Sequence, residues 1–562
     1  VTTLALGTFV ARERQLRCDR GEPERRAGCP TVRSDEIARL VPAGQEFGYD
    51  LIVFAGLARY LEGKQREETQ AMLKDRGVAV STGTISTLCD RFLVHLQRLH
   101  LQRSPALREA LASGYALHID ATCDKGQGGH FVCMDGRSGW VLQVARIESE
   151  SEGALAPVVQ RTVELFGDPV STMRDLGTGG EKAIQPLRDR GVIDLVCHLH
   201  FLRAVGTKLF AKAYDRLRAL LKGLAVRSEL LALRKKLKPY LDEVGAQGDF
   251  GPGRVREPLL ALVHWLIEGE GTANPNFPFA LPHLELVLRC QGLAEVASEW
   301  LPRPWGPAER RAMRRLDVLL DQVAREPRIA STVAEMREGW RVFGKLRAVL
   351  RLGASELPGS SGAGRQLPVP AAELLRLHQI EMAVRQYEQD LRARAGAEGK
   401  KKRSSKPEAV VLGYLDKYRA QLFGHPAIRD DQGRVIAVVE RTNNDLEQFF
   451  GGAKQGLRRR LGRANLGRDL QQQPAQAMLV RNLRDARYVR ILCGSLENLP
   501  AAFANLEHAE VEEVQLTRDH RDSRLDRAVR TLARRAPPPA SAALPPPTEG
   551  RIQCSCNRDL TR

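Results

Sequence analysis

The sequence predicts a mixed α/β fold in which a sheet is interrupted by a large all-α insertion and preceded by a small helical region. Three short β-rich runs follow one another between residues 115 and 147. Helix-like and strand-like stretches then alternate as far as residue 197. From residue 201 to 420 leucine recurs at helical spacing almost throughout. At 562 residues the chain is several times a typical domain of roughly 150 residues, so several domains, or one enlarged by insertion, are expected. Lys and Arg number 86 against 68 Asp and Glu, a net charge of +18, which points to a polyanionic partner: nucleic acid first, an acidic membrane surface second. Hydrophobic residues at 43% and charged residues at 27% exclude wholesale disorder.

Residues 1–45 are rich in Arg and Glu with little periodicity and read as a flexible basic arm. Residues 46–105 form a helical region. Leu51, Phe54, Leu57 and Leu61 share one helix face, and a second helix over 65–76 ends at Gly77, a residue suited to a left-handed cap. Val78 and Val80 are expected to face inward. Ser81 then caps a third helix with Ile85, Leu88 and Phe92 inside and Thr82, Thr84 and Thr87 outside. Helix, Gly turn and helix is the layout of a helix-turn-helix, which would put the three threonines at DNA, and equally of any small helical hairpin.

The first part of the core spans 110–212. Runs 115–120 (YALHID), 130–134 (HFVCM) and 140–147 (WVLQVARI) read as three antiparallel strands separated by Gly-rich and Asp-Gly turns. A helix over 153–166, a strand over 170–174, a helix over 180–190 and a strand over 192–197 follow. Three hairpin strands followed by crossovers make a mixed sheet with the first strand central, the strand grammar of the ribonuclease H fold. Residues 213–430 are the all-helical insertion. Trp265, Trp300, Trp305 and Trp340 within it are read as core rather than as base-stacking devices, and 353–370 and 396–406 as loops, with the basic run 400–403 a solvated loop. Residues 431–490 are the last part of the core, and 491–562 a helical segment followed by a Pro- and Ala-rich disordered tail.

Asp120 and Asp175 stand at the ends of the first and fourth strands, which this topology makes neighbours. Two carboxylates at one sheet edge suit Mg2+ or Mn2+, hard cations that take oxygen ligands and leave room for phosphate oxygens. A third carboxylate is sought in 440–468, where Glu440, Asp445 and Glu447 are available. If Asn443 or Asn444 caps a helix, Glu447 lies in its first turn and shares a face with Gly451, Lys454 and Arg458. Arg458, Arg459, Arg460, Arg463 and Arg468 accumulate beyond it as an electrostatic footprint for a phosphate backbone. Cys197 and His200 form a C-x-x-H that either contributes to a zinc site with Cys123, His130 or Cys133, or orients phosphate or water through His200 with Cys197 beneath it.

The order Asp120 in HIDAT, Asp175 in MRDLG, Cys197 to His200 in CHLHFLR, then TNNDLEQFF and RRRLGR after a helical insertion, resembles the DDE transposases of bacterial and archaeal insertion sequences. It is similar in particular to the Mutator-like group with a C/D-x-x-H motif. The resemblance covers residues 40–490. It implies Asp120, Asp175 and Glu447 as a metal-binding catalytic triad with Mg2+ or Mn2+, Cys197 and His200 as an accessory pair, and cleavage and strand transfer of double-stranded DNA at element ends and target. It also implies a prokaryotic, nucleoid-associated protein that acts on DNA as a homo-oligomer. A non-catalytic DNA-binding derivative and a nuclease of the same fold that does not join strands are the competing classes.

No apolar run approaches the roughly 20 residues of a membrane span, and the N-terminus lacks a secretory pattern, so no membrane partner and a cytoplasmic protein are expected. The ten cysteines make no disulfide framework, and Cys18 with Cys29 reads either as half of a zinc site or as an ordinary exposed pair.

Overall fold

A computed structural model describes residues 1–12, 34–122, 129–237, 253–268, 277–300, 302, 306–352, 370–396, 406–463 and 465–508. All lie within one compact unit, Val1–Thr517. Cys18, Cys29, Cys123, Trp305, most of both insertion loops with the 400–403 run, and the Pro-rich tail fall outside these residues.

A five-stranded mixed sheet organises the chain. Its strands are β1 (Ala116–Thr122), β2 (Gly129–Asp135), β3 (Val141–Ile147), β4 (Ser171–Arg174) and β5 (Ile193–Val196), in the order β3-β2-β1-β4-β5. The first three are antiparallel, and β4 and β5 join parallel to β1. The expected strands are therefore present, with β1 central. Parallel pairing requires crossovers, and the residues supply them. One is the helix Glu152–Phe166, which stops at Gly167 with φ +84°. The helix expected over 180–190 is broken into Thr178–Ala183 and Gln185–Asp189, because Pro186 lacks the N–H that would continue the ladder.

Before the sheet come α1 (Tyr49–Gly56), α2 (Arg66–Lys74) and α3 (Thr82–Gln102). A capping box of Gln65 and Glu68 starts α2, Gly77 adopts φ +79°, and Ser81 caps α3 by accepting from the Thr84 N–H at 3.0 Å. Val78 is buried and Val80 half-buried. Ile85, Leu88, Phe92, Leu96 and Leu99 share one hydrophobic core with Leu117 and Ile119 of β1 and with residues 446–506. His100 at the end of α3 bridges the Tyr488 hydroxyl (2.8 Å) and the Leu142 carbonyl of β3 (2.9 Å). These helices are thus built onto the sheet.

Successive strand residues face opposite ways, and the other face, with Ala116, Met173 and Leu195, belongs to a second core made with the insertion. That insertion begins with α4 (His198–Gly223) and ends with the helix Pro407–Leu422. Two of its tryptophans depart from the expected core placement: Trp265 is 42% exposed, its face covered by Arg289, and Trp340 is 36% exposed at the rim of a Phe210–Phe343 cluster. Both indoles pack through part of their surface and leave the rest at the exterior, as so large a side chain commonly does. A short hairpin, Ala427–Arg429 and Val435–Val438, returns the chain to the sheet, where α5 (Asn444–Leu461) begins. No helix among the described residues is long and apolar enough to cross a membrane.

Candidate active site

The parallel register of β1 and β4 decides where the first two acids stand. Ala116 pairs with Ser171, Leu117 with Thr172 and His118 with Met173. Two residues on, the same offset sets Asp120 beside Asp175, on the face and at the edge where β4 has just ended. Both line a cleft of about 190 Å³ with Glu150, Arg174, Gly177 and the first turn of the helix Thr178–Ala183. Asp175 accepts the Gly177 N–H at 2.9 Å. Glycine is needed at 179, since a Cβ there would stand 1.8 Å from the Glu150 carbonyl oxygen. Arg174, wholly buried, is fixed by two bonds to Asp194 (3.0 and 2.9 Å) and donates to the Asp175 carbonyl at 3.0 Å, so the backbone carrying Asp175 is held from below.

The third acid arrives through a chain crossing that the motifs alone did not reveal. Asn443 occupies the N-cap position of α5, but its side chain makes no cap bond. It accepts from His118 Nδ1 at 2.9 Å and donates to the Ile119 carbonyl at 3.4 Å, while its own N–H donates to Cys197 Sγ at 3.3 Å. The His198 N–H donates to the Arg441 carbonyl at 2.9 Å. Residues 441–444 are thereby tied to β1 and to the start of α4, and Glu447 enters in the first turn of α5.

His200 Nε2 lies 3.3 Å from Glu447 Oε1, and Arg203 Nη1 lies 3.7 Å from the same oxygen. That oxygen is buried and makes no hydrogen bond of its own. Burial pushes the Asp120 carboxyl up to about 7; His200 works against this, while Asp175 and Glu447 add to it. Burial alone would lower His200, but Cys197, Asp120 and Glu447 override it and raise the imidazole to about 9. Glu150 is raised by burial and by Asp175. Asp120 therefore feels both Asp175 and Glu447, with the His200 imidazole and the Arg203 guanidinium beside Glu447.

Among the described residues no three His, Cys, Asp or Glu are drawn together as a ready-made metal cage. A zinc set around Cys197 and His200 gains no support: the Cys197 thiol accepts from Asn443 and lies beside His200 instead. The carboxylate oxygens of Asp120, Asp175 and Glu447 are of the donor type a hard divalent cation takes, and Glu447 Oε1 is an orphaned buried acceptor.

The basic residues divide. Lys454 is half-buried on the Glu447 face, while Arg458, Arg459 and Arg468 are exposed. Arg460 instead turns inward: its guanidinium sits over the Tyr60 ring and donates to the Arg59 carbonyl at 3.4 Å, and burial lowers it to about 10. Arg463 pairs with Asp469 at 3.6 Å. On α3, Thr87 is exposed and Thr82 half-exposed, and the hydroxyls of Thr84 and Thr87 bond to Ser81 and to the Gly83 carbonyl. Sequence reasoning passed over Glu150, Arg203 and His118, and read Asn443 only as a candidate helix cap. Only Arg203 left a usable signal, one helical turn after His200. The chain matches no known protein family, no curated protein and no solved structure.

Proposed function

We propose that the protein is a transposase of the DDE type, with a ribonuclease H-like core that cleaves double-stranded DNA and joins it to a target. The observation that carries the reading is the adjacency of Asp120 and Asp175 at one strand edge, with Glu447, delivered across a helical insertion, near enough to help raise the Asp120 carboxyl. The sheet order β3-β2-β1-β4-β5, three antiparallel strands followed by two parallel ones, supports the core. In this reading the helix-turn-helix-like segment α2–α3 and the exposed Arg458 and Arg459 bind DNA, and the protein works as a homo-oligomer on it.

Asp120, Asp175 and Glu447 would hold Mg2+ or Mn2+, which when bound would supply Lewis-acid stabilisation of the phosphodiester and activation of the attacking oxygen. The chain's own residues do the rest. Arg174 holds the Asp175 backbone in place, Asn443 sets the start of α5, and His200, protonated at neutral pH, offers positive charge beside the reacting phosphate. The test is cleavage of DNA carrying the sequences that flank the gene, in Mg2+ or Mn2+, by the wild type and by Asp120→Asn and Asp175→Asn. Metal-dependent cleavage lost in both variants supports the reading, and cleavage retained in either overturns the site.

A further inference from the structure

Arg203 is more open to solvent than the two groups it adjoins on α4 and α5. Its side chain is 34% exposed, whereas His200 and Glu447 are 18% and 16% exposed. Glu447 is its sole ionic partner among the described residues, and at 3.7 Å the contact lies beyond hydrogen-bond length. A guanidinium has five donors, so one long contact to a single oxygen leaves most of its capacity unused. It also lies one turn beyond His200 on the same face of α4, at the mouth of the site.

We propose that Arg203 is a phosphodiester-binding residue held in reserve by Glu447. Without cation the carboxylate holds the guanidinium; once a divalent cation takes Glu447, Arg203 loses its counter-charge, is repelled by the incoming ion, and turns to a phosphate oxygen of the DNA. The planar fork of arginine can make two parallel N–H bonds to a phosphate, whereas at 3.7 Å it makes none to Glu447 Oε1. The proposal rests on the assignment of Glu447 to a cation.

The experiment uses the full chain with Arg203→Ala, Arg203→Lys and Glu447→Gln. Mn2+ binding is read by electron paramagnetic resonance without DNA. Binding of a fluorescein-labelled DNA duplex is read by anisotropy, once in EDTA and once in Ca2+. Arg203→Ala should bind Mn2+ severalfold more tightly, because a competing positive charge is gone. It should bind the duplex about tenfold more weakly in Ca2+ and nearly as wild type in EDTA, the loss expected for one charge-assisted bond made only when Glu447 is occupied. Arg203→Lys should recover part of the affinity in Ca2+. Equal duplex affinity of Arg203→Ala and wild type in Ca2+ overturns the proposal, as does an equal loss in EDTA and Ca2+, which would make Arg203 an ordinary backbone contact. If Glu447→Gln binds Mn2+ as wild type does, the carboxylate assignment itself falls. If Glu447→Gln loses Mn2+ and Arg203→Ala changes nothing, only the reserve role falls.

Discussion

His200 and Glu447, separated in sequence by the whole helical insertion, meet with Nε2 3.3 Å from Oε1. The contact joins the first turn of α4 to the first turn of α5, so the two ends of the insertion are electrostatically tied at the site they flank.

That tie has a pH signature in the metal-free protein. The His200 imidazole is raised to about 9, against an unfolded value near 6.5. The folded state therefore holds the proton more tightly, and the stabilisation is full below about pH 6.5 and lost as pH rises through 9. We expect the wild type to lose on the order of 1–3 kcal/mol between these limits, and His200→Gln to lose much less. Urea titrations at pH 6.5 and 9 in EDTA measure the difference, and parallel curves for the two proteins contradict it.

Acid acts through other histidines. Burial lowers His95, His100 and His425 to about 4, so between pH 6.5 and 4 the unfolded chain binds more protons than the folded one and stability falls as pH drops. Each such group contributes about 1.4 kcal/mol per pH unit in that window. Replacing His100 by Gln should flatten the dependence by about one group's share. A urea midpoint unchanged from pH 7.5 to 5 would show that these side chains are not buried neutral.

Asn443 is the joint between β1 and α5. Asn443→Ala would leave His118 Nδ1 without its acceptor in a fully buried setting and should cost about 2–4 kcal/mol. Asn443→Asp keeps an acceptor for His118 but sets a buried carboxylate against the Ile119 carbonyl, so it too should destabilise. Denaturant unfolding gives both values, and a loss under 0.5 kcal/mol for the alanine variant would remove the joint from the account.

Two neighbouring arginines of α5 should behave oppositely. Exposed Arg458 is about 16 Å along the helix from Glu447, at 1.5 Å per residue. Arg458→Ala should weaken DNA binding and make its salt dependence shallower by about one charge, with little change in melting temperature. Arg460→Ala, which empties the place over Tyr60, should lower the melting temperature and leave the salt slope alone. Gel shifts at two salt concentrations beside thermal melts separate them, and a common phenotype sinks the division.

The sheet was legible because hairpin turns and alternation are local signals: the three antiparallel strands lie within about two residues of the runs that predicted them. So were Gly77 and the Ser81 cap. The break at Pro186 was readable and passed over. Asn443 looked like a cap because its neighbours suggested one, yet a partner more than three hundred residues away took its side chain. Arg460 read as one more cation in a run, since charge shows in composition while burial against Tyr60 depends on the packing of α1's continuation, residues 57–61. The Asp120–Asp175 adjacency follows from strand order, whereas the grip of His200 and Arg203 on Glu447 depends on where the insertion returns.

The most direct test is Glu447→Gln, read by a cleavage assay and a binding titration on the same flanking-sequence DNA. Removing one negative charge near the phosphates should leave binding equal or tighter, while loss of a cation-holding carboxylate should reduce Mg2+- or Mn2+-dependent cleavage by orders of magnitude. Cleavage by Glu447→Gln at close to the wild-type rate would contradict the account and move the search for the third carboxylate to Glu440.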